Sequence, residues 1–186
     1  MIEKQMRVAM IVKDNFEQSE MEQTRERLQA ADVVVDLVGV KPGQVQGLNH
    51  VDKGDSFPID KLLDEISPDD YDAVVLPGGA VNADGLRVNK AAQDFVTAMD
   101  EAKKPVAAIC HAAWLLVSAG LLKGRTLTSY PTIRDDLENA GATWVDQPVN
   151  VDGNLITSRN PNDIPAFSAA ILAALNAGPS EFRAGR

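Results

Sequence analysis

Apolar residues occur along this chain in short unbroken runs, and most runs are followed by a polar turn and then by apolar residues at helical spacing. An unbroken apolar run of strand length is typical of a strand buried on both faces of a parallel sheet. The predicted strands are 7–12, 33–38, 71–76, 105–109 and 126–129, with a pair at 144–151 and 154–158 around the turn Asp152-Gly153.

Helical periodicity fills most of the intervals between these strands. The first predicted helix ends near Ala30 and places Met21, Thr24 and Leu28 on its inner face. The remaining predicted helices are 59–66, 88–102, the segment from Cys110 to Gly120, 132–140 and 164–176. Residues 41–57 contain Pro, Gly, Asn and Asp, and they predict a long irregular connection with room for a small hairpin.

Strands that alternate with helices in this way predict an α/β fold: a doubly wound, mostly parallel sheet with helices on both faces, in a single domain. We expect the domain to span residues 1–178 and residues 179–186 to form a flexible tail. Sites in such sheets lie beyond the carboxyl ends of the strands. The segments predicted to lie there are 15–20, 77–79, Cys110-His111 and the loop after Ser158.

Composition and charge narrow the class of protein. The chain has 186 residues, of which 45% are hydrophobic and 24% charged, values typical of a globular protein rather than a disordered or membrane-spanning one. A net charge of -9 argues against nucleic acid and anionic membranes as partners. One cysteine excludes an internal disulfide, and the N-terminus lacks the apolar segment of a signal peptide. We therefore expect a cytoplasmic protein.

Cys110 stands between an apolar run and an alanine- and leucine-rich helix that ends at Gly120. A strand that turns abruptly into a helix presents the turn residue at the sheet edge, which is the geometry of a nucleophile elbow. Free N–H groups at the start of the helix would lower the pKa of the thiol. The alternative is a small buried hydrophobic residue, since free cysteines are often buried.

Only two histidines are available, His50 and His111, so the chain does not predict a metal site or another cofactor. His111 follows Cys110 directly, so its side chain could either contact the sulfur or point away toward an acid. Its backbone N–H could form an oxyanion hole with those of Gly78 and Gly79. Diglycine loops are also common as plain turns.

Glu20 is the carboxyl group predicted to lie against the sulfur, because it follows a neighbouring strand at the same edge of the sheet. A protonated carboxyl there would donate a hydrogen bond to a thiolate and have a raised pKa. The alternative role is an acid that complements the helix dipole. Glu17 competes with Glu20 for either role.

Six segments together resemble the DJ-1/PfpI superfamily, which has the flavodoxin-like, class I glutamine-amidotransferase-like fold, and its PfpI-type subgroup most of all. The segments are Phe16-Glu17-Gln18-Ser19-Glu20, Leu76-Pro77-Gly78-Gly79, Ala108-Ile109-Cys110-His111-Ala112, 120–125, 133–136 and 157–161. Family members commonly have Gly or Ala and then Pro after the histidine, where this chain has Ala112-Ala113.

The resemblance implies the roles of particular residues. It makes Cys110 the nucleophile with Glu20 as its acidic partner, and it adds His111 to a triad completed by an acid from a neighbouring subunit. The matching acid is Asp84. It also implies oxyanion donors at Gly79 and the His111 amide, a pocket tyrosine at Tyr130, and a homodimer or higher oligomer.

Two classes of function remain open. The first is a stress-response enzyme without a cofactor that acts on small carbonyl compounds or glycated proteins, as a glyoxalase or deglycase, or on peptides, as a PfpI-type cysteine peptidase. The second is a non-enzymatic oxidative-stress sensor or chaperone that acts through oxidation of Cys110. A glutamine amidotransferase or a cysteine α/β-hydrolase would need a later histidine, and none follows His111. A Rossmann dehydrogenase would need a glycine fingerprint after the first strand, which 13–20 lacks.

Overall fold

The computed structural model describes residues 5–178, so the tail expected at 179–186 lies outside the described residues. The strands are β1 Arg7–Val12, β2 Phe16–Glu17, β3 Val34–Gly39, β4 Gln44–Asn49, β5 Asp52–Pro58, β6 Lys61–Leu62, β7 Ala73–Leu76, β8 Val106–Ile109, β9 Thr126–Leu127, β10 Thr143–Trp144, β11 Val149–Asp152 and β12 Leu155–Ser158. The α-helices are α1 Gln18–Gln29, α2 Ala80–Arg87, α3 Lys90–Glu101, α4 Ala113–Ser118, α5 Arg134–Asn139 and α6 Ile164–Ala177.

The central sheet confirms the predicted doubly wound α/β fold. Its strand order is β11-β12-β8-β7-β1-β3-β6, and every neighbouring pair is parallel except β11 and β12. Helices α1 and α6 pack on one face, and helices α2 to α5 contribute to the apolar cluster on the other. Successive residues of β1 enter opposite clusters, Met10 on one face and Ile11 on the other, which explains why the strand is apolar throughout.

The irregular segment after β3 contains the hairpin for which the sequence left room. Strands β4 and β5 pair antiparallel and, with β2, form a separate three-stranded sheet. Gln18 of α1 holds this hairpin, because its amide nitrogen donates to the Asp55 carboxylate and its amide oxygen accepts from the Asp55 N–H at 2.7 Å. The hairpin is therefore fixed against the start of α1.

The prediction of a helix at 59–66 is wrong. Residues 61–62 form an edge strand on β3 and are followed by a single 3-10 turn at Leu63–Glu65. The Asp60 N–H donates to the Leu37 carbonyl, and Ile59 packs so closely on Gly39 that a Cβ there would lie 2.6 Å from the Ile59 Cδ1. Pairing with the open edge of β3 outweighs the local helical pattern.

Other boundaries differ from the sequence predictions. Helix α2 was not predicted, since Gly85 breaks its pattern, and it follows the diglycine loop directly. The strand predicted at 144–151 divides into β10, which pairs with β9, and β11. Within residues 5–178, no helix is both long and apolar enough to cross a bilayer.

Candidate active site

A cavity of about 570 Å³ opens at the carboxyl ends of the central strands, where strand order reverses between β1 and β7. All four segments that were predicted to lie at this edge contribute residues to the cavity wall. Three of them follow the carboxyl ends of β1, β7 and β8, and the fourth is the loop after β12. The lining residues are Glu17, Glu20, His50, Val51, Gly79, Ala80, Cys110, His111, Tyr130, Asn160, Pro161 and Asn162. The fold thus brings together most of the residues singled out in the sequence.

Cys110 lies in the tight turn between β8 and α4 with a φ of 63°. This left-handed conformation is unfavourable for a residue with a side chain, so surrounding contacts must hold it. Its N–H donates to the Ser158 carbonyl at 3.0 Å, and its carbonyl accepts from the Tyr130 N–H at 3.1 Å. The backbone therefore has the shape of a nucleophile elbow, and Cys110, which is 8% exposed, lines the cavity.

The expected lowering of the pKa of the thiol by the following helix is wrong. Burial raises the pKa of the Cys110 thiol, and the negative charge on an ionised Glu20 adds to that effect. Helix α4 has six residues and begins only at Ala113, so its dipole is weak. The N–H groups of Gly79 and His111, which donate to the sulfur, act in the opposite direction and favour the thiolate.

Glu20 is fully buried beside the thiol. Burial raises the pKa of its carboxyl to about 8, and the nearby charge of Glu17 contributes in the same direction. Its Oε2 accepts the Gly78 N–H at 2.7 Å, whereas Oε1 is buried without a hydrogen-bond partner among the described residues. The carboxyl group also interacts with the Cys110 side chain. Glu20 is therefore protonated at neutral pH and can donate a hydrogen bond to an ionised sulfur.

The diglycine loop is required by packing at this site and is not a plain turn. A Cβ on Gly78 would lie 2.5 Å from the Glu20 Oε2 and 2.6 Å from the Cys110 Cβ. Gly79 has a φ of 91°, and a Cβ there would lie 2.6 Å from the Glu17 backbone nitrogen. Of the three N–H groups expected to form an oxyanion hole, that of Gly78 is already bonded to the Glu20 carboxyl, whereas those of Gly79 and His111 donate to the Cys110 sulfur.

The His111 side chain faces the sulfur. Its Nδ1 lies 3.1 Å from the Cys110 Sγ, and its Nε2 lies 3.3 Å from the Thr132 hydroxyl. The ring stacks on Tyr130 with centroids 4.9 Å apart, and burial lowers its pKa. A neutral imidazole in contact with a thiol can accept its proton.

The acid of the expected triad is not supplied at this cavity by the described part of the chain. The ring nitrogens of His111 contact a sulfur and a hydroxyl, and no carboxylate of residues 5–178 bonds to them. Asp84 is exposed on α2 and is not a lining residue. A role for Asp84 therefore depends on a neighbouring subunit and stays a prediction.

Sequence reasoning missed the contribution of the β4–β5 hairpin. Its tip places His50 and Val51 at the cavity, and the His50 N–H donates to the Glu17 Oε2 at 3.1 Å. Ser19 donates from its hydroxyl to the Glu17 Oε1 at 3.2 Å, so Glu17 is held at the cavity wall rather than against the sulfur. No local signal marks these residues, because only the fold of the hairpin brings 50–51 to the site.

Among residues 5–178, no three His, Cys, Asp or Glu side chains are grouped so that they could hold a metal ion. At the cavity, the Cys110 thiol contacts a carboxyl group, an imidazole and two backbone N–H groups.

Comparisons with known proteins show the family to which this chain belongs. The model of the DJ-1/PfpI family matches residues 6–174. Deglycase TK1284 of Thermococcus kodakarensis is 41% identical over 162 residues, which cover 87% of this chain and 95% of that protein. The putative cysteine protease YraA of Bacillus subtilis is 37% identical over 166 residues, 89% of this chain and 96% of that protein.

A solved structure shows the same fold. It is a two-domain protein of Anabaena variabilis with DJ-1/ThiJ/PfpI-like and ferritin-like domains, and it superposes with a TM-score of 0.88 at 34% identity. The match covers 92% of this chain and 48% of that protein, so this chain spans about half of its length.

Proposed function

Since the chain belongs to the DJ-1/PfpI family, we propose that it is a cysteine-dependent enzyme that removes 2-oxoaldehydes, or their early adducts on proteins, as a glyoxalase or deglycase. The observation that supports this most is the contact of the Cys110 sulfur with the Glu20 carboxyl, the His111 ring and two backbone N–H groups. These are the groups that addition of a thiol to a carbonyl requires.

In the proposed first step the Cys110 sulfur forms a bond to the aldehyde carbon, and the thiol proton passes to Nδ1 of His111. The aldehyde oxygen becomes an oxyanion, which the Gly79 and His111 N–H groups stabilise. Neutral Glu20 then holds or returns a proton at the former carbonyl group. With methylglyoxal, rearrangement and addition of one water give lactate and the free thiol, and no external oxidant or reductant is consumed.

The test is methylglyoxal consumption with product analysis for the wild type, Cys110→Ser and Glu20→Gln. We expect lactate from the wild type and loss of turnover in both variants. Glu26→Gln is the matched control, since Glu26 is an exposed carboxylate of the same helix. Consumption no faster than in buffer, or full activity in Cys110→Ser, would refute the proposal. Mass spectrometry of Cys110 after mild peroxide would then test the sensor function.

A second candidate function is a PfpI-type peptidase, which the similarity to a putative cysteine protease favours. It requires an acid for His111, and Asp84 of a second copy is the proposed source. Peptide hydrolysis measured beside the mass of the assembly in solution tests this. Activity that appears only in a dimer or larger oligomer and is lost in Asp84→Asn would support it, whereas hydrolysis by a monomer would refute the shared triad. We also propose that the protein forms a homodimer and is located in the cytoplasm.

A further inference from the structure

The carboxyl groups on the cavity wall are not balanced by lysine or arginine side chains of the described part of the chain. Among the residues that line it, Glu17 and Glu20 are acidic, and no Lys or Arg side chain of residues 5–178 is present. Burial raises the pKa of Glu20 to about 8, so this carboxyl is neutral at pH 7. The remaining acidic group is Glu17, whose two oxygens accept hydrogen bonds from the His50 N–H and the Ser19 hydroxyl.

The arginine that directly precedes a lining residue in the sequence is paired with acids outside the cavity wall. Arg159 precedes the lining residue Asn160, but its guanidinium donates to Asp163 at 2.8 Å and to Asp146 at 2.7 Å. Two carboxylates on one guanidinium leave no excess positive charge for an anion in the cavity. Two histidines also line the cavity: His111, which contacts the Cys110 sulfur, and His50. The Nδ1 of His50 lies 3.8 Å from the Glu17 Oε2, and its side chain is 81% exposed.

Glu17 is close enough to the reacting groups to act on them electrostatically. Its charge helps to raise the pKa of Glu20, which is in contact with the Cys110 sulfur. The Glu17 side chain is itself only 10% exposed. Because little water surrounds the carboxylate, its electrostatic interaction with groups in the cavity is screened weakly.

We propose that Glu17 determines substrate charge: the cavity accepts carbonyl adducts that carry an ammonium or guanidinium group beside the reacting carbon, and disfavours carboxylate-bearing ones. This rests on the proposed function for the identity of the reacting group. A 2-oxoaldehyde adduct on a lysine or arginine side chain has the required charge when the nitrogen remains protonated, whereas glyoxylate has the opposite one. Glu17 is thereby assigned a role in specificity, distinct from the acid–base role of Glu20.

The test uses Cys110 itself, which is the single cysteine of the chain, and requires no turnover. The thiol is labelled at pH 7 with methanethiosulfonate reagents that carry a trimethylammonium, a sulfonate or a neutral methyl group. In each case the thiolate attacks the reagent sulfur, a mixed disulfide forms and methanesulfinate leaves. Division of the charged-reagent rates by the neutral-reagent rate cancels any change in the reactivity of the thiol.

For the wild type we expect the cationic reagent to react at least about 10-fold faster than the anionic one, after normalisation, and the ratio to shrink as salt is added. Glu17→Gln keeps the shape of the side chain and should reduce the ratio by about 10-fold, while Glu17→Asp should retain most of it. Glu26→Gln, remote from the cavity wall, should leave the ratio unchanged.

A wild-type ratio near one, or a preference for the sulfonate, would overturn the proposal even if no Glu17 variant folds. A ratio that is unchanged in a folded Glu17→Gln would overturn the assignment to Glu17. Failure of methylglyoxal turnover would refute the proposed function and leave these labelling ratios interpretable, so the two failures are distinguishable.

Discussion

Replacement of Glu20 by glutamine removes a carboxyl group that folding buries completely, and it hardly changes the shape of the side chain. The amide can still accept the Gly78 N–H and present a donor toward Cys110. What it cannot do is ionise. In the wild type, the unfolded chain releases a proton from Glu20 that the folded protein retains, and this release lowers the free energy of unfolding. The difference in free energy of unfolding between the variant and the wild type measures that loss.

The size of this effect follows from the pKa of Glu20, which burial raises from its ordinary value of 4.5 to about 8. Between these values the folded state holds a proton that the unfolded state has lost, so wild-type stability falls as pH rises, by about 1.4 kcal/mol per pH unit. The contribution is fully present below about pH 4.5 and is lost by about pH 8, which amounts to about 5 kcal/mol.

Glu20→Gln has no such dependence. We therefore expect its free energy of unfolding, relative to the wild type, to increase steadily from pH 4.5 to pH 8 and to have gained about 3 kcal/mol by pH 7. The assay is urea unfolding at pH 5, 6, 7 and 8, followed by tryptophan fluorescence, with both chains in a Cys110→Ser background to remove thiol ionisation. Glu26→Gln is the control for a carboxylate that stays exposed.

The reasoning would be refuted by a difference between the two proteins that stays constant across this pH range. That result would mean that Glu20 is ionised in the folded protein at neutral pH. The proposed ability of a neutral Glu20 carboxyl to donate a hydrogen bond to an ionised sulfur, and the proton-transfer role proposed for Glu20, would both have to be abandoned.

Three further predictions concern the support of the site. Gly78→Ala should abolish turnover and lower the melting temperature, because its Cβ would lie 2.5 Å from the Glu20 Oε2; activity and calorimetry check this. His111→Ala should reduce kcat/KM by about 100-fold or more, since it removes the base at 3.1 Å from the sulfur; steady-state kinetics test it. Asn82→Ala should cost about 2 kcal/mol in urea unfolding, because the buried amide donates to the Pro77 and Gly78 carbonyls and accepts the Lys13 N–H, and the alanine can make none of these bonds.

The predicted strands that match the structure are those that are buried on both faces of the sheet. Strand β1 was predicted with its observed bounds, Arg7–Val12, since a strand covered on both faces must be apolar at every position. The Cys110 elbow followed from the same logic, because an apolar run that stops at a polar pair and resumes as a helix leaves few other conformations.

The missed or incorrect features depend on partners that are distant in sequence. The segment at 59–66 has a local helical pattern, yet the open edge of β3 recruits it as a strand. The contribution of His50 depends on a hairpin whose position is set by Gln18, 32 residues earlier in the chain. The pKa of the Cys110 thiol depends on how completely α1 and the diglycine loop exclude water, which no local pattern reports.

The sequence by itself predicted the α/β architecture, the edge of the sheet where the cavity lies, and Cys110, His111 and Glu20 as candidate site residues, with Glu17 as the competitor of Glu20. These follow from periodicity and from the ends of apolar runs, which are local properties. Only the tertiary structure decided that the His111 ring faces the sulfur, that the Gly78 N–H serves Glu20, and that Glu17 stands at the wall. Distances of about 3 Å between residues far apart in the chain are set by packing, and packing is a property of the whole fold.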